Sequence, residues 1–345
     1  ASAWLWPAGL HAQSDALKAA FENYQELNEQ GRYREAIPYA QEVLALAEEE
    51  YGSEHLDVAV SLNNLASLYH DQGRYGEAEP LYERSLAIRE KALGPEHPEV
   101  ADSLGNLALL YDEQGRYNEA LNHIRRATAI YQGRVVAGSG QLSAGAEHEH
   151  RNVAFTFEAH VNIASEVMTL DPEQLDTLTG ESFEIAQLAR ATSVGAAISR
   201  MAARFATGDD ALLAGVVRGR QDALRDWRRL DEELVKAASK PPGERNKEKE
   251  SQWRAEKEKL TARFEELDGR LVQEFPEYAE LTSPQPVSLA AVQALLGPDE
   301  ALIAFLIDDD VTYLWALRAD RAEQFMVKYT RRDLEDAVGK LHPGK

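Results

Sequence analysis

The chain has 345 residues, with 37 basic against 59 acidic side chains and a formal net charge of −22. That balance argues against nucleic acid or an anionic membrane surface as a partner, since both need a basic face. There is no cysteine, which excludes disulfides, Cys-ligated zinc and a cysteine nucleophile within these residues, and no run of about 18 apolar residues offers a membrane span.

Residues 1–13 open with Ala1-Ser2-Ala3-Trp4-Leu5-Trp6, broken by Pro7 and Gly9 and followed by Leu10-x-Ala12 before Gln13. An apolar stretch running into a small-residue site has the form of a signal-peptide remnant. The other reading is a mildly apolar N-terminus of a cytoplasmic protein, so exported and cytoplasmic locations both stay open. Ser14 or Asp15 then caps a first helix, with Leu17, Ala20, Phe21, Tyr24 and Leu27 at helical spacing.

One phrase now recurs. Gly31-Arg32-Tyr33-Arg34-Glu35-Ala36 returns as Gly73-Arg74-Tyr75-Gly76-Glu77-Ala78 and as Gly115-Arg116-Tyr117-Asn118-Glu119-Ala120, each 42 residues after the last. A fixed period of this size marks a solenoid. The phrase reads as a helix ending at a left-handed Gly, a Tyr packed across the turn, a Glu near the positive end of the next helix, and an Ala where two helices approach closely. Helix pairs are expected at 15–30 with 33–50, at 56–72 with 75–93, and at 98–114 with 117–131. No such pair buries its apolar face alone, so stacking must supply the core.

The surroundings repeat as well. Leu62-Asn63-Asn64-Leu65-Ala66-Ser67-Leu68-Tyr69 aligns with Leu104-Gly105-Asn106-Leu107-Ala108-Leu109-Leu110-Tyr111, and Gly94-Pro95-Glu96-His97-Pro98-Glu99-Val100-Ala101 with Gly52-Ser53-Glu54-His55-Leu56-Asp57-Val58-Ala59. Over residues 15–131 this resembles the long-period tetratricopeptide repeat of kinesin light chains. The resemblance implies a right-handed solenoid whose concave face, lined by the first helix of each pair, binds protein partners as extended peptides. Asn64 and Asn106 match the groove asparagines of that family, and Asn162 matches in part. Asn63, Ser67, His70, Asp71, Asp112 and Glu113 would share the groove. An amide both donates and accepts, so it can hold a peptide backbone. The alternative is that these asparagines tie neighbouring helices together. Glu22, Glu29, Asp71, Asp102, Asp112 and Glu113 would make the concavity acidic, which favours a basic segment.

The array then loses regularity. Gly133 to His150 reads as a Gly/Ser/Ala loop. Val161-Asn162-Ile163-Ala164 restores the repeat phrase 56 residues after Asn106, as a degenerate fourth repeat with its second helix at about 181–193 after Asp171-Pro172. Another helix is expected at about 194–206. Glu147-His148-Glu149-His150, with His160 nearby, invites a metal reading, but two His at this spacing in a loop lack the i, i+4 geometry of a helical zinc pair. Glu54-His55 and Glu96-His97 fall at equivalent repeat positions and read as linker and cap residues. No metal and no cofactor is expected.

Residues 209–275 read as a helical hairpin. Leu224, Trp227, Leu230 and Leu234 form one stripe, and Trp253, Leu260, Phe264, Leu267 and Leu271 the other. Lys240-Pro241-Pro242-Gly243 breaks the chain between them. After a Ser283-Pro284-Gln285-Pro286 linker, Ser288 caps a short helix. Strand-like runs follow at 301–307, 311–317 and 324–329, close enough for an antiparallel meander. A last helix is expected at 331–341.

Arg200-Met201-Ala202-Ala203-Arg204, Arg218-Gly219-Arg220-Gln221, the Trp-bearing hairpin, Phe275-Pro276-Glu277-Tyr278, Leu281-x-Ser283-Pro284 and Glu300-Ala301-Leu302 follow in order behind the repeats. In that order, residues 150–345 resemble the approach to a CHAT domain, a caspase-like peptidase coupled to tetratricopeptide repeats. The resemblance implies a His–Cys dyad. This chain has no Cys, and His342 does not sit in the family's His-Gly setting, so no catalytic residue is assigned. The expected architecture is mainly α: a tetratricopeptide solenoid over 14–206, a helical hairpin over 207–280, and the start of an α/β caspase-like domain over 281–345. The expected act is binding of a protein or extended peptide by the regulatory arm of such a peptidase; the alternative is a non-catalytic scaffold.

Overall fold

A computed structural model describes residues 14–138, 146–189, 210–282, 286–307, 311–329 and 332–333. Residues 1–13, the helix expected at 194–206, most of the helix expected at 331–341, and His342 lie outside these.

Eight helices form four antiparallel pairs: α1 (Asp15–Glu29) with α2 (Tyr33–Tyr51), α3 (Leu56–His70) with α4 (Tyr75–Leu93), α5 (Pro98–Glu113) with α6 (Tyr117–Gly138), and α7 (Ala146–Leu170) with α8 (Leu175–Ala189). The turns follow from the repeated phrase. Gly31, Gly73 and Gly115 sit at φ of +70°, +69° and +72°, where only a residue without a Cβ is at ease. The Arg after each Gly then binds the Glu three residues on, in Arg32–Glu35, Arg74–Glu77 and Arg116–Glu119. Arg74 and Arg116 also lie over the Tyr69 and Tyr111 rings at 4.4 and 4.1 Å. Ala36, Ala78 and Ala120 are fully buried at the helix contacts. Ser14 caps α1 by accepting from the Leu17 amide.

The expected loop at 133–150 is mostly helix: α6 runs on to Gly138 and α7 begins at Ala146. Gly weakens a helix by about 1 kcal/mol, yet α6 continues through both Gly133 and Gly138. The partner of α7 starts at Leu175, after a single 3₁₀ turn over Pro172–Gln174, and not at 181. Asp171 caps that turn by accepting from the Glu173 amide.

The hairpin comprises α9 (Ala211–Ala238) and α10 (Lys247–Glu274), followed by α11 (Pro276–Thr282). Leu230, Leu234, Leu267 and Leu271 are buried, as the stripes require. The larger rings stay half-exposed beneath cations: Lys257 over Trp227, Lys249 over Trp253 and Arg220 over Phe264, at 4.3–4.5 Å. The hairpin tip docks on the repeat linkers, where Val235 and Ala238 pack against Leu56, Ala92 and Leu93. His55 and His97 each cap the following helix through Nδ1, accepting from the Asp57 and Glu99 amides. Their Nε2 atoms face the hairpin, at 3.0 Å from the Lys240 carbonyl and 3.8 Å from Asp231. The repeated Glu-His linker is therefore both cap and docking edge.

Ser288 caps α12 (Leu289–Leu295) through the Ala291 amide. Strands β1 (Leu302–Ile307), β2 (Thr312–Arg318) and β3 (Arg321–Val327) form an antiparallel sheet in the order β1-β2-β3. The third strand begins three residues earlier than its apolar run, because Arg318 and Arg321 pair across a two-residue turn. One face, with Leu306, Tyr313, Trp315 and Leu317, shares a core with Val100, Leu104, Tyr131, Phe157 and Phe183 of the last two repeats. The Trp315 indole donates to Ser182 Oγ at 3.2 Å, and the Tyr313 hydroxyl to Asn162 Oδ1 at 2.8 Å. The other face, with Ile303, Phe305, Phe325 and Val327, is exposed.

Candidate functional site

The first helices of the second, third and fourth pairs stand side by side and enclose a groove of about 480 Å³. Helical periodicity decides what lines it. On α3 and its C-cap, Asn63, Ser67, His70 and Asp71 fall on one stripe, and on α5 Asp102, Asn106, Leu109 and Glu113 do the same. Asn152, Phe155 and Thr156 of α7 close the third side, while Tyr75 and Tyr82 of α4 wall one end.

The floor is an amide pair. Asn106 donates through Nδ2 to Asn63 Oδ1 at 2.8 Å, across two repeats. Asn63 is 1% exposed, and its own Nδ2 has no hydrogen-bond partner. A buried donor left unpaired costs about 1–3 kcal/mol, so it is a place where an added carbonyl would be held.

Carboxylates stand at both ends. Asp102 accepts from the Tyr131 hydroxyl and, at 3.1 Å, from Asn152 Nδ2. Burial pushes its carboxyl up to about 6, against the pull of the Tyr131 bond and of Arg89. At the other end Glu113 accepts from the Tyr75 hydroxyl at 3.0 Å. His70 Nε2 is 3.0 Å from Glu113 Oε2 but off the line of a hydrogen bond. Asp71 lies beside them, and partial desolvation of its carboxyl against the groove wall raises its pKa.

Of the residues expected in the groove, the structure brings together Asn63, Ser67, His70, Asp71, Asn106 and Glu113. Asn64 is buried and does not line it. Asp112, the neighbour of Glu113, does not line it either, and burial pushes its carboxyl up to about 6. Asn162 lies beneath the sheet, bonded to Tyr313. Asn152 and Phe155 escaped the sequence reading because the start of α7 looked like a loop; the apolar spacing of Val153, Phe157 and Val161 was the signal available.

A second, smaller cavity of about 240 Å³ lies between α6, α7 and α8. His160 is held there from both nitrogens, by Thr128 Oγ1 at 3.0 Å and Glu181 Oε1 at 2.8 Å. Arg125 makes a two-pronged bond to the same carboxylate. Burial alone would raise the Glu181 pKa, but the bonds from Arg125 and His160 prevail and hold it near about 2. With both ring nitrogens engaged, His160 is a structural histidine. Among the described residues no group of three or more His, Cys, Asp or Glu side chains is placed to hold a metal ion. Also among them, no helix is long and apolar enough to cross a membrane.

A tetratricopeptide-repeat family model matches residues 27–91 and, overlapping them, 58–133. No curated protein matches the chain. Among solved structures, BtubC (BKLC) from P. vanneervenii is similar at 20% identity and a TM-score of 0.42, over 51% of this chain and 65% of that one. A kinesin light chain-type protein with nearly identical TPR-like repeats from P. anserina is similar at 23% identity and a TM-score of 0.35, over 52% of this chain and 89% of its own. Residues 27–133 of this chain are tetratricopeptide repeats.

Proposed function

We propose that the repeats bind an extended, basic segment of a protein partner in the groove between α3, α5 and α7, and that they do so as the recruiting arm of a CHAT-type peptidase. The observation that carries the binding reading is the unpaired, buried Asn63 amide between carboxylates at both ends of the groove. Amides suit a backbone of any sequence, and acidic walls of a concavity attract cations. The peptidase association rests on the order of phrases over residues 150–345 and on a small sheet that follows the helical hairpin after two short helices. The thiol of such an enzyme has to come from residues other than these, since this chain has no cysteine. That same fact favours the second reading, a scaffold that assembles partners without cleaving them.

The test is a peptide array followed by calorimetry on the whole chain. Basic extended peptides bind, and replacing Asn63 and Asn106 together by Ala weakens them by about 1–3 kcal/mol. Higher salt slows association more than it speeds dissociation. Preference for acidic peptides, or unchanged affinity in a folded double variant, returns the amide pair to a purely structural role.

A further inference from the structure

Asp102 and Glu113 stand on the same helix, and both line the groove. Eleven positions separate them, which is close to three turns at 3.6 residues per turn, so they share one face of α5. At 1.5 Å per residue they stand about 16 Å apart along the helix axis. Asn106 and Leu109 lie between them on the same stripe, and Asn63 faces Asn106 from α3. The groove therefore has an acidic end, an amide middle and a second acidic end. An extended chain advances about 3.3 Å per residue, so a strand laid along α5 covers that distance in about five residues.

We propose that the groove selects basic segments by spacing: it takes an extended strand carrying two cationic side chains about five residues apart, with the backbone between them held on Asn63 and Asn106. This rests on the basic-segment reading above and adds to it a distance. One cation meets Glu113 and Asp71, against the Tyr75 and Tyr82 rings, where a cation gains from the π faces as well as from the carboxylates. The other meets Asp102, beside the Asn152 amide. Arg89, fully buried, acts on Asp102 from below, and Glu99 acts against it. The Asp102 end is thus the less negative of the two, while the Glu113–Asp71 end carries two carboxylates beside His70. The unpaired Asn63 Nδ2 is the independent sign of a ligand here, because it is a buried donor that lacks an acceptor.

The experiment uses flexible synthetic peptides, uncharged except for two lysines separated by two to eight positions, titrated calorimetrically into the whole chain at low salt. Affinity should peak near a separation of five and be about tenfold weaker at two. Asp102→Asn and, independently, Glu113→Gln should each abolish the dependence on spacing and bring every two-lysine peptide to one common, weaker affinity. Glu113 is exposed, so its variant serves if Asp102→Asn disturbs folding. Affinity that grows with lysine number whatever the spacing overturns this inference and leaves the basic-segment reading standing. Absence of binding by any basic peptide overturns both.

Discussion

Burial and charge act against each other at Asp102, and the outcome governs the groove. Its carboxyl is pushed up to about 6 by desolvation, even though the Tyr131 hydroxyl, Asn152 and Arg89 favour the ionised form. A raised pKa means that the free protein takes a proton as pH falls through about 6, and a neutral carboxyl attracts no cation. A bound cation has the opposite effect and draws the pKa down, so binding a basic peptide expels a proton. The affinity of a basic peptide should therefore fall as pH drops from 7 to 5, and Asp102→Asn should flatten that profile across pH 6. Calorimetry in buffers of different ionisation enthalpy reads both the affinity and the released proton.

The helical hairpin shows how one repeated element serves two tasks. His55 and His97 cap α3 and α5 with one nitrogen and face the hairpin with the other. Arg254 donates to the Ala92 carbonyl at 2.5 Å, and Ala238, 1% exposed, closes the apolar contact with Leu56, Ala92 and Leu93. Ala238→Glu places an unpaired charge in that contact, at a cost of about 3 kcal/mol or more. Hydrogen exchange should then quicken in α9 and in the first turns of α10 while α3 to α6 keep their protection. Unchanged exchange in α9 would show that the hairpin's own packing, and not the repeat linkers, holds it.

Across the whole molecule, the sheet occupies the place where a further repeat would stack. Its buried face continues the core of α5 to α8, and Gln187 bonds both the amide and the carbonyl of Val287 at 2.9 Å, as a neighbouring strand would. Trp315 is 1% exposed at the centre of that contact. Trp315→Ala should cost about 3–5 kcal/mol by leaving a cavity. Ile303→Ser on the open face, where the side chain is 64% exposed, should change stability by about 0.5 kcal/mol or less. Denaturant unfolding of both variants measures the difference. Similar losses in the two would mean that the outer face is covered as well.

The repeats, the bounds of their first five helices to within a few residues, the hairpin and the order of three strands were all legible in the amino-acid sequence. Each rests on interactions between near neighbours: a positive-φ Gly, a cap, an apolar stripe, an Arg–Glu pair three residues apart. Those forces act within one or two turns, so spacing alone reports them. The continuation of α6 and the early start of α7 were not legible, because the Gly, Ser and Ala composition of that stretch reads locally as a loop. The groove shows the same division. Its acidity and its asparagines could be read from the chain, but which of Asn63 and Asn64 faces inward could not, since adjacent positions on a helix point about 100° apart. Asn64 and Asn106 are equivalent in the repeat, yet Asn106 meets Asn63, and Asn64 is buried away from the groove. Asn162, the next in the series, is bonded by Tyr313 from a sheet 151 residues further along the chain. The period of the sequence determined what repeats. The stacking of the helix pairs, and what docks on the last of them, decided which of the repeated side chains face the groove.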